Sequence, residues 1–93
     1  MDLKLTELGQ DEFAFRLLEN GEVQAEITWT EMADLMVIEY TFVKETLRHQ
    51  GLAKKMLDHA AAYAREKNYK IEPVCSYAVS AFERHKEYDD VKI

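Results

Sequence analysis

The chain has one cysteine, one proline and three glycines in 93 residues. Cys75 has no second cysteine with which to close an internal disulfide, and no Cys/His spacing matches a zinc site. A fold stapled by disulfides or a structural metal is therefore excluded, and a reducing, cytoplasmic compartment is expected. The longest uncharged apolar stretch, around Leu35 to Ile38, is far too short to span a membrane. Met1 to Glu7 has no apolar core of a signal peptide. Basic residues are outnumbered, 12 Lys and Arg against 18 Asp and Glu, for a net charge of −6. A nucleic-acid binder normally carries a basic face, so no nucleic-acid partner is expected. An acidic surface suits a cationic or amine substrate, although it is also common among soluble domains.

What is present is enough for one core. A length of 93 residues predicts a single domain over residues 1–93, and 47% hydrophobic content allows it to fold unaided. Phe13 to Leu17 alternates apolar and other residues, Asn20-Gly21 follows, and Val23 to Trp29 alternates again. Asn-Gly between two period-2 runs predicts a hairpin, because both central residues of a type I′ turn need positive φ. Leu35 to Val43 is apolar at nearly every position, which predicts a central strand covered on both faces.

From Leu52 the period becomes helical. Leu52, Ala53, Met56, Leu57, Ala60 and Ala64 form one stripe opposite Lys54, Lys55, Asp58, Arg65 and Glu66. Asn68 is the expected helix stop, since it tolerates the left-handed conformation. Lys70 to Val74 reads as a short strand whose Pro73 belongs at an edge, end or bulge. Ser76 is the expected cap of a final helix in which Ala78, Ala81, Phe82 and His85 share a face. The order β-β-β-α-β-α predicts an α+β fold, a four-stranded and mainly antiparallel sheet with two helices.

Arg48-His49-Gln50-Gly51-Leu52-Ala53 lies between the apolar strand and the amphipathic helix. A diphosphate needs several backbone N–H donors at close range, and a side chain at Gly51 would obstruct its approach. The helix that follows adds free N-terminal amides and a positive dipole end. Arg48 can add charge-assisted bonds. By itself the pattern is weak, and an ordinary strand-to-helix turn is the commoner reading.

Arg48-x-x-Gly51-x-Ala53, with Val43 before it and Lys54 to Leu57 after it, resembles the acyl-CoA loop of the GNAT superfamily of N-acetyltransferases. Pro73-Val74-Cys75-Ser76-Tyr77, with Phe82 to His85 and Glu87-Tyr88, resembles the end of a short single-domain branch of that superfamily. The resemblance runs from about Phe13 to Val91. It implies a minimal GNAT-like fold and acetyl-CoA or coenzyme A as cofactor. It also implies transfer of the acetyl group to an unidentified amine, on a small molecule or a protein lysine. Arg48, His49, Gln50, Gly51, Leu52, Ala53 and Lys54 would hold the pyrophosphate, and Phe42 and Val43 would line the pantetheine. For Lys54 a solvated helix face is the plain alternative. A monomer or weak homodimer is expected, with no metal.

Larger relatives often carry Asn-x-x-Ala-x-x-x-Tyr on the last helix, the tyrosine protonating the leaving thiolate. Here Cys75, Ala78 and Phe82 stand in those places, so that acid is absent. Tyr40 stands where the short branch often has a histidine, and the tail reads His85-Lys86-Glu87-Tyr88 without a proline. Cys75 is then a candidate nucleophile or acetyl-pocket residue, against the common alternative of a buried apolar cysteine. Glu39 and Tyr40 are the candidate bases on the apolar strand. Side chains alternate, so only one of the two is expected to face the acceptor. Burial would raise the pKa of Glu39, whereas a salt-bridged, edge-facing glutamate is the plainer alternative. His49, His59 and His85 read as surface histidines. Two other functions fit the same residues: a non-enzymatic CoA- or acetyl-CoA-binding module, and a plain interaction domain with a structural Gly51 turn.

Overall fold

Five strands and two helices make up the computed structural model, which describes residues 2–93. The strands are β1 (Lys4–Gly9), β2 (Glu12–Glu19), β3 (Glu22–Met32), β4 (Leu35–Val43) and β5 (Lys70–Pro73). Helix α1 (Leu52–Lys67) joins β4 to β5, and α2 (Ser76–Arg84) follows β5. The sheet order is β1-β2-β3-β4-β5, antiparallel except for the β4–β5 pair. The α+β class and the order of the expected elements hold, with one strand added at the start.

That added strand, β1, has no buried residue, so it carries no apolar face from which to infer it. The Asn20-Gly21 hairpin forms as its dipeptide predicts, with φ of 52° and 80° and Glu19 facing Glu22. On the covered face, Phe13, Phe15 and Leu17 of β2 pair with Trp29, Ile27 and Ala25 of β3. Met36 and Ile38 of β4 and Ile71 of β5 complete that face. Both helices bury into the same cluster. Ala60, Ala61 and Ala64 are fully buried, and their small side chains let α1 lie close on the sheet. Met56 and Leu57 fill the space beside them, each contributing about 1.5–3 kcal/mol by leaving water.

The two-sided burial expected of β4 is not found. Met36 and Ile38 are buried, but Glu39 and Tyr40 on the other face are exposed, Tyr40 by 49%. The helices cover one side of the sheet only. Val37, Tyr40 and Phe42 are apolar because they sit on a pleated surface, not because a second layer rests on them.

Three details shape the end of β4. The pairs Trp29–Ile38 and Thr28–Tyr40 leave Glu39 as the extra residue of a β-bulge. The β4–β5 pairing ends at Ile38–Pro73, where proline has no N–H to continue the ladder. Val74 and Cys75 then both donate their N–H to the Ile38 carbonyl, at 2.9 and 3.2 Å, as the chain turns into α2. Beyond Ile38, the edge of β4 that faced β5 has no strand partner among the described residues. Asn68 ends α1 in the left-handed region at φ 60°, as expected.

The last residues fold back on α1. Tyr88 stacks on Phe82 at 4.9 Å, and its hydroxyl donates to Asp58 Oδ1 at 2.5 Å. Arg65 grips Asp90 through two bonds of 2.7 and 3.0 Å. Val91 and Ile93 bond to Ile71, closing the outer edge of β5.

Candidate functional site

The segment from Lys44 to Gly51 leads from the open end of β4 into α1. Its first part is a short 3-10 turn over Glu45–Leu47. His49 and Gly51 then take positive φ, 68° and 73°, in the turn that leads into α1. His49 is therefore a residue of the turn itself, in a conformation costly for most side chains. Gly51 is the N-cap of α1, and a Cβ on it would meet nothing within 4 Å.

The N–H groups of His49, Gln50, Gly51, Leu52, Ala53 and Lys54 donate to no protein acceptor among the described residues. The first intrahelical bond is Lys55 N–H to the Gly51 carbonyl at 3.1 Å. A helix end without a capping side chain leaves its donors and its positive dipole end to a ligand or to water. Arg48 bends back so that Nε donates to the Val43 carbonyl at 3.1 Å. Its two terminal nitrogens have no protein partner among the described residues, which leaves the fork of the guanidinium for an anion.

These groups open on a cleft of about 210 Å³ lined by Val43, Leu47, Arg48, His49, Gly51, Leu52, Ala53, Lys54 and Tyr77. The expected loop residues are thus brought together, with two exceptions. Gln50 is exposed and does not line the cleft, so its contribution is limited to its amide. Phe42 pairs with Glu26 on the uncovered side of the sheet and is absent from the lining. The alternation that sends Val43 toward the helices sends Phe42 the other way.

Two lining residues were not visible in the loop pattern. Leu47 belongs to the 3-10 turn. Tyr77 comes from the first turn of α2, distant in sequence, and burial pushes its pKa upward. Placing Tyr77 required the docking of α2 beside α1, which no local motif encodes.

Cys75, not Ser76, caps α2. Its backbone is extended, and its Sγ accepts the Ala78 N–H at 3.4 Å. Ser76 is the first helical residue instead. The cysteine is half-buried, packs against the core and lies at the Ile38 carbonyl where β4 and β5 part. Glu39 and Tyr40 follow Ile38 directly. The bulge defeats simple alternation, so both stand on the uncovered face. Glu39 accepts a hydrogen bond from Thr30 Oγ1 at 2.9 Å and is exposed, rather than set in apolar surroundings. Cys75 packs on the helix side and the two β4 residues on the other. The three candidates therefore flank one junction from opposite faces. Phe82, in the place of the absent tyrosine, is 3% exposed and stacked on Tyr88.

Among the described residues no group of acidic, histidine or cysteine side chains is placed to hold a metal, and no helix is long and apolar enough to cross a membrane.

The match to known proteins covers nearly the whole chain. Residues 12–91 match the family model described as GCN5-related N-acetyl-transferase. A GCN5-like protein of Staphylococcus aureus, solved by NMR, is 34% identical, with 98% of this chain and 88% of that one covered at a TM-score of 0.72. The ribosomal-protein-S18-alanine N-acetyltransferase of Escherichia coli shares the fold at 18% identity and a TM-score of 0.67. There the match spans 82% of this chain but only 52% of the larger enzyme. An aminoglycoside N-acetyltransferase solved with CoA shares it at 12% identity and a TM-score of 0.58, over 86% of this chain and 68% of that one. No curated protein sequence matches. With matching motifs, fold and family model, the chain belongs to the GCN5-related N-acetyltransferase family.

Proposed function

We propose that this chain binds acetyl-CoA in the cleft between the β4–α1 loop and Tyr77, and transfers the acetyl group to an amine. The observation that carries this reading is the row of free amides from His49 to Lys54 beside the unpartnered Arg48 fork. Such donors suit a diphosphate, and the open space over Gly51 gives it room. The cofactor would supply an acetyl group already activated as a thioester.

The chain's own residues take the remaining roles. The amides and Arg48 bind and orient, and Val43 and Leu47 present apolar surface along the cleft. The unpaired edge of β4 beyond Ile38 offers backbone groups to an amide-bearing ligand. Cys75 is the candidate to receive the acetyl group or to line its pocket. Glu39 and Tyr40, open to solvent on the uncovered face, are candidates to take the proton from an incoming ammonium. The acceptor is a small-molecule amine or a protein lysine, and the protein works in the cytoplasm as a monomer or weak homodimer.

Phe82 favours one alternative. A buried, stacked phenylalanine cannot protonate a leaving thiolate, which suits a module that binds CoA without turnover. Calorimetric titration with CoA tests the cofactor site, and absence of binding refutes it. Thiol release from acetyl-CoA against a panel of amines then separates enzyme from binding module.

A further inference from the structure

Lys54 lines the cleft, yet its ammonium is turned toward two carboxylates. Nζ donates to Glu87 Oε2 at 2.9 Å, lies 3.3 Å from Asp58 Oδ2 and sits 5.5 Å from the centre of the Tyr88 ring. The Asp58 contact is a local i,i+4 pair on one helix turn. Glu87 is different, because it reaches Lys54 from the 3-10 turn Lys86–Tyr88 at the far end of the chain. The bond to Glu87 is the largest influence raising the Lys54 pKa.

Glu87 is held where it is by its neighbours. Arg65 Nη2 donates to the Glu87 carbonyl at 2.8 Å while the same guanidinium grips Asp90. Tyr88, next in sequence, is fixed to Asp58 and stacked on Phe82. His85 Nδ1 lies 3.7 Å from the other Glu87 oxygen. Glu87 does not itself line the cleft; its carboxylate is held against Lys54, which does. An ammonium balanced by two carboxylates offers an arriving anion a local charge of net negative sign.

We infer that Glu87 sets the affinity of the acyl-CoA cleft: its carboxylate competes with the cofactor's diphosphate for Lys54. This rests on the cofactor reading above. A transferase must release CoA after every turnover, and product release often limits the rate. A resident carboxylate that retakes Lys54 as the diphosphate leaves favours that release. Glu87 is therefore a tuning residue that acts through Lys54.

The test is calorimetric titration of CoA and dephospho-CoA into the full chain, as wild type, E87Q, K54M and the double variant, at low and high salt. E87Q should bind both ligands roughly threefold to fivefold more tightly at low salt, with the gain shrinking as salt screens the charges. In the K54M background the same substitution should change nothing. If E87Q does not fold, Glu87→Asp, which draws the carboxylate back by one methylene, should shift affinity in the same direction. Unchanged or weaker binding by E87Q overturns the inference, as does a gain that survives K54M. A gain confined to CoA overturns the assignment to the diphosphate. If wild type binds neither ligand, the cofactor reading itself fails and takes the role of Glu87 with it.

Discussion

Replacing Gly51 by alanine separates the conformational reason for a glycine from the functional one. At φ +73° an alanine pays about 1–2 kcal/mol for the left-handed conformation, with no clash to add because a Cβ meets nothing within 4 Å. The stiffer unfolded chain gives back about 0.4–1 kcal/mol. The net loss is then about 1 kcal/mol, or a fall of roughly 4–8 °C in melting temperature for a domain of this size. Gly21 is the matched control, at φ +80° with the same open surroundings but in the β2–β3 hairpin. Gly21→Ala should lose similar stability and keep its CoA affinity. Gly51→Ala should also bind CoA at least about tenfold more weakly, since displacing the diphosphate by one methyl lengthens at least one charge-assisted hydrogen bond. Gly51→Asn, which tolerates the left-handed region, should recover much of the stability but not the affinity. Thermal melting with and without CoA reads both quantities, because a ligand of the native state raises its melting point. If Gly51→Ala binds CoA as Gly21→Ala does, the loop is a structural turn and the cofactor assignment to it is wrong.

Cys75→Ser keeps a cap acceptor for the Ala78 N–H and should melt at or near the wild-type temperature. Cys75→Ala should lose about 0.5–1 kcal/mol. Full turnover by Cys75→Ala excludes a covalent acetyl-cysteine, and an acetyl adduct on wild-type Cys75 in intact-mass spectra supports one. Tyr88→Phe deletes the bond to Asp58 and should cost about 1–2 kcal/mol by chemical denaturation, and an unchanged midpoint refutes the clamping role of the tail. Arg65 holds the Asp90 carboxyl below its usual range. The stabilisation from that pair is present above the unfolded aspartate pKa and is lost as pH falls through the lower folded value. Arg65→Gln should therefore be less stable than wild type at neutral pH, and the gap should close in acid below the ordinary aspartate range.

The hairpin at Asn20-Gly21, the α1 stripe, the Asn68 stop and the Pro73 strand end could all be read from the chain. Each is set by the preferences of a few adjacent residues. Strand β1 could not, because an exposed edge strand buries nothing and so shows no apolar alternation. The bulge at Glu39 is a property of the pairing with β3, and no local pattern announces it. It also removes the strict alternation from which only one of Glu39 and Tyr40 was expected to face the acceptor. The apolar run of β4 suggested two covered faces, yet composition alone does not tell a covered face from a bare one. In the site, the amides and Arg48 followed from a glycine between strand and helix. Tyr77 and Glu87 did not, since their places depend on how α2 and the tail dock on α1.

The parting of β4 and β5 at Ile38 has a kinetic consequence. Strands β1 to β4 form a meander of neighbouring antiparallel pairs, whose loops close early at small entropic cost. The parallel β4–β5 pair instead waits for α1 to form and cross over, and the closing bonds from Val91 and Ile93 come later still in the chain. The cleft lies along that late junction. It is thus expected to be assembled after the transition state for folding, where its contacts carry little weight in the refolding rate. A bound cofactor would then slow unfolding while leaving refolding nearly unchanged. The same geometry that keeps the strand edge open for a ligand makes the ligand a brake on the chain's own opening.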